Sequence, residues 1–227
     1  MFPEDFVFEN FKGKTLDQFL SAGWYRMGST LFTTKFIYPF NNEITAGVFW
    51  LRYLVDNVRL NKKSLALFAK NSRFTFEYKS FALTGELITL HQLYTQNLKF
   101  TTSGSLVLLL EDIYNIVFDS TIIEVRDDGK LVAAGIFDIG TESIAGIINF
   151  YNPDYKKFSP GKFLILLKYQ FCVKNNIPLY YPGYFMPQYP IFDYKLFLDK
   201  NATEVFLPDE KKWIPYHKFP ETDIKTP

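Results

Sequence analysis

The sequence predicts an α+β fold, and three observations carry that prediction. Asp128-Gly129 lies between two runs rich in β-branched and apolar residues, Thr121 to Arg126 and Lys130 to Ile139, as the two-residue turn of a β-hairpin would. Ile144 to Tyr151 and Leu179 to Tyr181 read as two further strands. Between them, Lys162 to Lys174 has the length and apolar spacing of an amphipathic helix, which would lay one face on that sheet.

The preceding residues read as a small α+β unit of their own. Thr15-Leu16-Asp17-Gln18 matches a capping box and opens a short helix through Ala22, ended by Gly23. Leu31 to Tyr38 and Val48 to Val55 read as strands. Asn61 caps a helix over Lys62 to Lys70, and Phe74, Phe76 and Tyr78 alternate as in a half-buried strand. Leu87, Leu90 and Tyr94 share one helical face, and Asn97 ends that helix. The small polar stretch Thr101 to Ser105 suggests a boundary between residues 1–104 and 105–227, followed by a helix over Leu106 to Tyr114. Asn152 to Gly161 reads as an exposed loop.

Composition excludes several functions. Of the 227 residues 48% are apolar and 22% charged, as in a globular protein. Cys172 is the single cysteine, so an intrachain disulfide and cysteine-rich zinc sites are out; its place on the apolar side of the 162–174 helix makes it a core residue. Two histidines, His91 and His217, are too few for a histidine metal centre or a plausible Ser–His–acid triad, and no metal is expected. Met1 to Glu9 has no signal-peptide pattern and no apolar run reaches membrane-spanning length, which reads as a cytoplasmic chain with no membrane partner.

Net charge is only +1, yet Arg52, Arg59, Lys62, Lys63, Lys70, Arg73 and Lys79 face only Asp56 and Glu77 in the same stretch. Two readings stand: a surface that meets nucleic-acid phosphates, or the solvated side of a helix and strand.

The order hairpin, strand, loop, helix, strand resembles the central part of a GNAT-type acyltransferase. The residues narrow that likeness. Asp128-Gly129-Lys130-Leu131-Val132-Ala133 with Phe137-Asp138, then Phe150-Tyr151-Asn152-Pro153-Asp154-Tyr155, Ser159-Pro160-Gly161, the gap-free block Tyr181 to Lys195 and finally Trp213-Ile214-Pro215 resemble, in order, the arginyl- and leucyl-tRNA–protein transferase family. Gly23-Trp24-Tyr25-Arg26-Met27-Gly28 is a weaker echo of that family's opening. The resemblance implies a GNAT-type sheet and transfer of an aminoacyl group from charged tRNA to the N-terminal amine of an acceptor protein. Charged tRNA is then the co-substrate, and no other cofactor is required. An acyl-CoA-dependent N-acyltransferase, or an inactive relative that only binds a partner, are the alternatives; the Gly-rich pattern of acetyl-CoA users is missing.

The resemblance also nominates residues. Asp138 is an acid in an otherwise apolar strand, either a cleft carboxylate that orients or deprotonates the acceptor amine or an acid bonded at a strand end. Tyr151 and Tyr184 join it as catalytic candidates, although each tyrosine also suits packing. Lys156, Lys157, Ser159, Gly161, Tyr181 and Lys195 are placed at the donor, with phosphate expected at the helix start. The local basic excess, rather than a family motif, places Arg52, Lys62, Lys63 and Lys70 on the tRNA. The family's cysteine cluster is absent between Phe36 and Gly47, and its basic triplet becomes Ser64-Leu65-Ala66. Ile191 and Asp193 stand where the family carries Lys and Arg, which predicts an altered demand for acidic acceptor termini.

Overall fold

The computed structural model describes residues 10–38, 46–98 and 104–220. One eight-stranded sheet dominates, built from β5 (Phe49–Leu54), β6 (Thr75–Ser80), β7 (Ser120–Asp127), β8 (Lys130–Ile139), β9 (Ser143–Tyr151), β10 (Leu179–Phe185), β11 (Thr203–Leu207) and β12 (Lys212–Pro215). Its order is β12-β11-β5-β10-β9-β8-β7-β6, antiparallel throughout except for the parallel pair β9–β10. This is the expected GNAT-type arrangement of hairpin, third strand, helix and parallel fourth strand. The short strands β1 (Tyr25–Met27) with β2 (Thr30–Phe32), and β3 (Phe36–Ile37) with β4 (Ala46–Gly47), pair outside it.

The β7–β8 hairpin forms where the sequence places it. Asp128 and Gly129 take φ of 47° and 82°, the left-handed pair that a two-residue turn needs. Residues on the two sides of position 104 do not form separate sheets. β5 pairs with both β10 and β11, and β6 pairs with β7, so the sheet mixes both halves. The boundary at Thr101–Ser105 falls mostly on residues outside those described. Composition reports local polarity, whereas strand order is set by long-range pairing that it does not encode.

Helices cover both faces. α2 (Lys62–Lys70) and α5 (Pro160–Lys174) pack on one, and α1 (Gly13–Ser21), α3 (Gly85–Gln96) and α4 (Leu106–Leu110) on the other. Asn61 caps α2 as its sequence indicates, its side chain accepting from the Lys63 and Ser64 N–H groups. The capping box at Thr15 does not form. α1 starts at Gly13, which leaves Thr15 within the helix, and the Asp17 carboxylate accepts from the Thr141 and Glu142 N–H groups and the Ser143 hydroxyl, binding α1 to the β8–β9 turn. The run Leu31 to Tyr38 is broken into β2 and β3 rather than one strand, and the helix at Leu106 stops at Leu110, where Glu111 turns to φ 52°.

Two corrections bear on the site. Asn152–Gly161 is not an open loop: Pro153–Phe158 forms 3₁₀ turns capped by Asn152, and left-handed Ser159 redirects the chain into α5 two residues earlier than expected. Nor is α5 amphipathic. Phe163 to Lys168 are buried without a break, because β8, β9 and β10 lie beneath the helix while α2 and Pro190–Leu196 cover its flanks. Cys172 is buried with them, and burial raises its thiol pKa. No helix among the described residues is long and apolar enough to cross a membrane.

Candidate active site

A single sequence feature opens the sheet. β9 and β10 pair only over Ser143–Ala145 and Leu179–Tyr181. Beyond that point Pro182 has no N–H to offer, and Gly183 takes φ 101°, a conformation open to glycine. β10 therefore bends, its register to β5 shifts between Tyr180 and Gly183, and it leaves β9. From Gly146 to Tyr151, β9 stays paired to β8 alone, with its other edge free.

A cavity of about 530 Å³ occupies this region. Asn149 and Tyr151 line it from β9, and Pro153 and Lys156 from the 3₁₀ turns. Ser159, Gly161 and Lys162 contribute the start of α5, Tyr94, Asn97 and Leu98 the end of α3, and Ile191, Phe192 and Tyr194 the segment after β10. Tyr94 and Tyr151 lie with ring centroids 5.1 Å apart. Every described lining residue is neutral or basic. At the start of α5, Pro160 has no N–H, and the Lys162 and Phe163 N–H groups both bond the Ser159 carbonyl. Positive character at that end therefore comes mainly from Lys156 and Lys162.

The structure brings together Tyr151, Lys156, Ser159, Gly161 and Ile191 of the sequence candidates, and leaves the others elsewhere. Asp138 is fully buried, on the face of β8 away from α5, and is not a cleft carboxylate. Its Oδ1 accepts from the Ser120 hydroxyl at 2.6 Å and from Arg26 Nη1 at 2.9 Å. Arg26 also donates to the Leu110 and Gly28 carbonyls and lies 4.3 Å over the Phe118 ring. Burial pushes the Asp138 pKa up to about 6 in spite of Arg26. Asp138 was singled out for being an acid in an apolar strand; the partner that seals it, Arg26, comes from a hairpin 112 residues earlier.

Tyr181 packs between Tyr25 and Trp213. Tyr184 packs against Trp50 and Phe192. Neither lines the cavity. Lys195 is turned inward: its ammonium donates to the Tyr184 carbonyl at 2.8 Å and lies 4.4 Å over the Tyr184 ring. Desolvation there lowers its pKa to about 7. Lys157 sits 5.3 Å over the Phe158 ring, and Asp193 is exposed outside the lining.

The basic stretch divides. Arg52 is paired to Glu204 at 2.6 Å and stacked on Trp213, Arg73 is paired to Asp127, and Lys79 to Glu77 and Glu124. Lys62, Lys63 and Lys70 stay exposed on α2 and make no ion pair among the described residues. The Asn71 side chain, next to Lys70, donates to the Phe158 carbonyl, which joins this end of α2 to the turn entering α5.

Sequence reading missed Asn149, Lys162, Phe192, Tyr194 and the buried Lys168. Two signals were present: Asn149 is the one carboxamide in the apolar run Ile144–Tyr151, and Lys168 interrupts the apolar core of a helix.

A splayed parallel strand pair with a lysine-flanked helix start at its mouth defines an acyl-transfer type of site on a GNAT-type sheet. Comparison with known proteins specifies the family. The model of the family described as "Arginine-tRNA-protein transferase, C terminus" matches residues 61–202, more than half of the chain, and the chain belongs to that family. It is 25% identical over 212 residues to an aspartate/glutamate leucyltransferase of Leptospira interrogans, covering 91% of this chain and 80% of that protein. A protein of the same name from Campylobacter jejuni is 25% identical over 193 residues, covering 82% and 78%. Arginyl-tRNA–protein transferase 1 of Saccharomyces cerevisiae is 32% identical over 88 residues, 39% of this chain and 17% of that protein. Among solved structures, FemX aligns over 75% of this chain and 60% of its own at 7% identity, with a TM-score of 0.46.

Proposed function

We propose that this protein transfers an aminoacyl group from charged tRNA to the N-terminal amine of an acceptor protein, and that the amino acid transferred is neutral and apolar, of the leucyl rather than the arginyl type. The observation that carries this reading is the cavity lining. Lys156 and Lys162 suit the phosphates of a tRNA 3′ end, while Leu98, Ile191, Phe192, Tyr94 and Tyr194 suit an apolar side chain. No described lining residue is a carboxylate, and an arginyl guanidinium would meet two lysines with no acid to pair. The exposed lysines of α2 extend the basic surface toward the body of the tRNA.

The donor ester is already activated. The acceptor amine attacks its carbonyl carbon, a C–N bond forms and the carbonyl electrons move to oxygen. Collapse then breaks the bond to the ribose oxygen, which leaves with a proton while the nitrogen gives one up. The protein aligns the two reactants and stabilises the oxyanion, so no protein nucleophile is needed.

The test is incubation of the full chain with tRNA charged separately with leucine, arginine and other amino acids, and with peptides beginning with Asp, Glu, Gln and Lys, read by mass spectrometry. Transfer of leucine in preference to arginine is the expected outcome. Saturable coenzyme A binding with no transfer from any charged tRNA would replace this reading with an acyl-CoA enzyme. Efficient arginine transfer would overturn the donor assignment alone.

A further inference from the structure

Lys168 lies in the middle of α5, 1% exposed, and points at the sheet. Its ammonium donates to two acceptors, the Ile136 carbonyl at 2.9 Å and Asn149 Oδ1 at 2.9 Å. Each acceptor has a structural origin. β8 and β9 shift register between Ile136 and Phe137, where Ile147 is the extra residue, and the Ile136 carbonyl is met there by the lysine. Gly135 makes room for the arrangement: a Cβ at that position would stand 2.8 Å from Asn149 Oδ1 and 3.3 Å from Lys168 Cε.

A lysine side chain offers hydrogens to these acceptors, so the Asn149 oxygen must be the atom turned toward it. The amide nitrogen is then turned the other way. Asn149 lies on the stretch of β9 whose outer edge is free and lines the cavity, and among the described residues no acceptor is bonded to its Nδ2.

We propose that Asn149 is a catalytic residue whose Nδ2–H donates to the carbonyl oxygen of the donor ester as it becomes an oxyanion, and that Lys168 is a positioning residue that fixes the carboxamide in the donating orientation. This rests on the transferase reading above and adds a named oxyanion donor to it. A donor aimed in advance at the developing charge lowers the barrier without reorganising during the reaction, and binds the ground-state carbonyl less strongly. The effect therefore belongs in kcat. Burial lowers the Lys168 pKa to about 7, with Asp138 acting in the opposite direction, and both hydrogen bonds need only N–H groups that either protonation state supplies.

The experiment is steady-state transfer by the full chain, with leucyl-charged tRNA as donor and a peptide beginning with Asp as acceptor. Asn149→Ala is expected to lower kcat by about 100-fold, while KM for the charged tRNA stays within about twofold. Asn149→Asp, which presents an oxygen to the oxyanion, is expected to lose at least as much. Lys168→Met removes the restraint but not the amide, so kcat falls by about tenfold in a variant whose circular dichroism shows it folded. The double variant should be no slower than Asn149→Ala, because the lysine acts through the asparagine. A folded Asn149→Ala that keeps kcat within threefold, or a loss confined to KM, would overturn the assignment of Asn149. Independent, additive losses in the double variant would overturn the role of Lys168. A wild-type chain inert with every charged tRNA would remove the transferase reading and this donor with it, whereas an active wild type with an equally active Asn149→Ala removes only the latter.

Discussion

Asp138 and Lys168 are two buried ionisable groups set against the same stretch of β8, one on each face of the sheet. On the α1 side, Asp138 is closed in by Arg26, Ser120 and the Phe118 ring, and the strands around it are fully paired. On the α5 side, Lys168 reaches through a bulge to a carboxamide on the strand whose outer edge is free. Both groups carry pKa shifts driven by desolvation, and both interrupt apolar sequence. What separates them is connection to the cavity. A buried charge becomes a candidate for chemistry when the pairing around it opens, and here the opening traces to Pro182 and Gly183 on the neighbouring strand.

The largest effect should come from breaking the sealed side. Arg26→Met strips Asp138 of its cation and leaves a buried carboxylate that only Ser120 bonds, which should cost about 3–5 kcal/mol in urea unfolding. Adding Asp138→Leu should recover most of that loss, because an apolar pair needs no ionic partner. Transfer by the folded double variant should stay within about fivefold of wild type, as single-turnover assays would read it. A folded double variant slowed by two orders of magnitude would put Asp138 back in the chemistry and break the comparison.

The two sides should also respond to pH with opposite sign. Folding raises the Asp138 pKa from 3.8 to about 6, so between those values the native chain holds a proton that the unfolded chain has lost, and stability falls as pH rises. Folding lowers the Lys168 pKa from 10.5 to about 7, so across that interval the unfolded chain holds the extra proton and stability rises with pH. Lys195, lowered to about 7 in the same way, adds to the second trend. Urea midpoints from pH 4 to 10 should lose the first slope in Asp138→Asn and part of the second in Lys168→Met. Unchanged slopes in either variant would mean that its group titrates alike folded and unfolded.

Local chemistry was readable in the sequence and long-range pairing was not. The hairpin at Asp128-Gly129 and the cap at Asn61 depend on residues next to one another, and both formed as expected. The capping box at Thr15 failed because the helix starts at Gly13, which puts Thr15 inside the first turn rather than at the N-cap. β11, a clear Thr203–Leu207 strand, went unread, and so did the interior position of β5, which no local pattern encodes. The site follows the same rule. Ser159, Gly161 and Tyr151 lie close in sequence to the helix start and do line the cavity, whereas Asp138, Tyr181 and Lys195 were carried by resemblance into an interior that encloses them. Asn149 stands out as the one carboxamide in its apolar run, but that signal gains a meaning only when the neighbouring strand is seen to leave.

On the open side, the exposed face of α2 should set donor affinity. Replacing Lys62, Lys63 and Lys70 together by Glu should weaken binding of charged tRNA by about 100-fold at low salt and flatten the dependence of affinity on salt, measured by filter binding. Arg52→Met, which removes a cation already held by Glu204, should change that affinity much less. Equal losses in the two experiments would mean that ion pairing in the free protein does not predict which cations the tRNA uses.

The smallest effect concerns the acceptor. Ile191 lines the cavity with 52% of its surface exposed, while Asp193, two residues on in the same 3₁₀ segment, lies outside the lining. An incoming peptide with an acidic first side chain would meet an apolar group at the first position and a negative field from the second. Ile191→Lys with Asp193→Arg reverses both, and in a partly solvated cleft that change is worth roughly 1–2 kcal/mol, or about tenfold in preference. Because only Ile191 touches the cavity, Ile191→Lys alone should supply most of the gain, and Asp193→Arg alone should give a smaller, salt-sensitive one. Competition among peptides beginning with Asp, Glu, Gln and Lys, run on the wild type and the three variants at two salt concentrations, separates these contributions. If Asp193→Arg shifts preference as strongly as Ile191→Lys and salt does not weaken it, the acceptor approaches along the outer side of the 3₁₀ segment rather than through the cavity mouth. The open edge of β9 would then serve the donor alone.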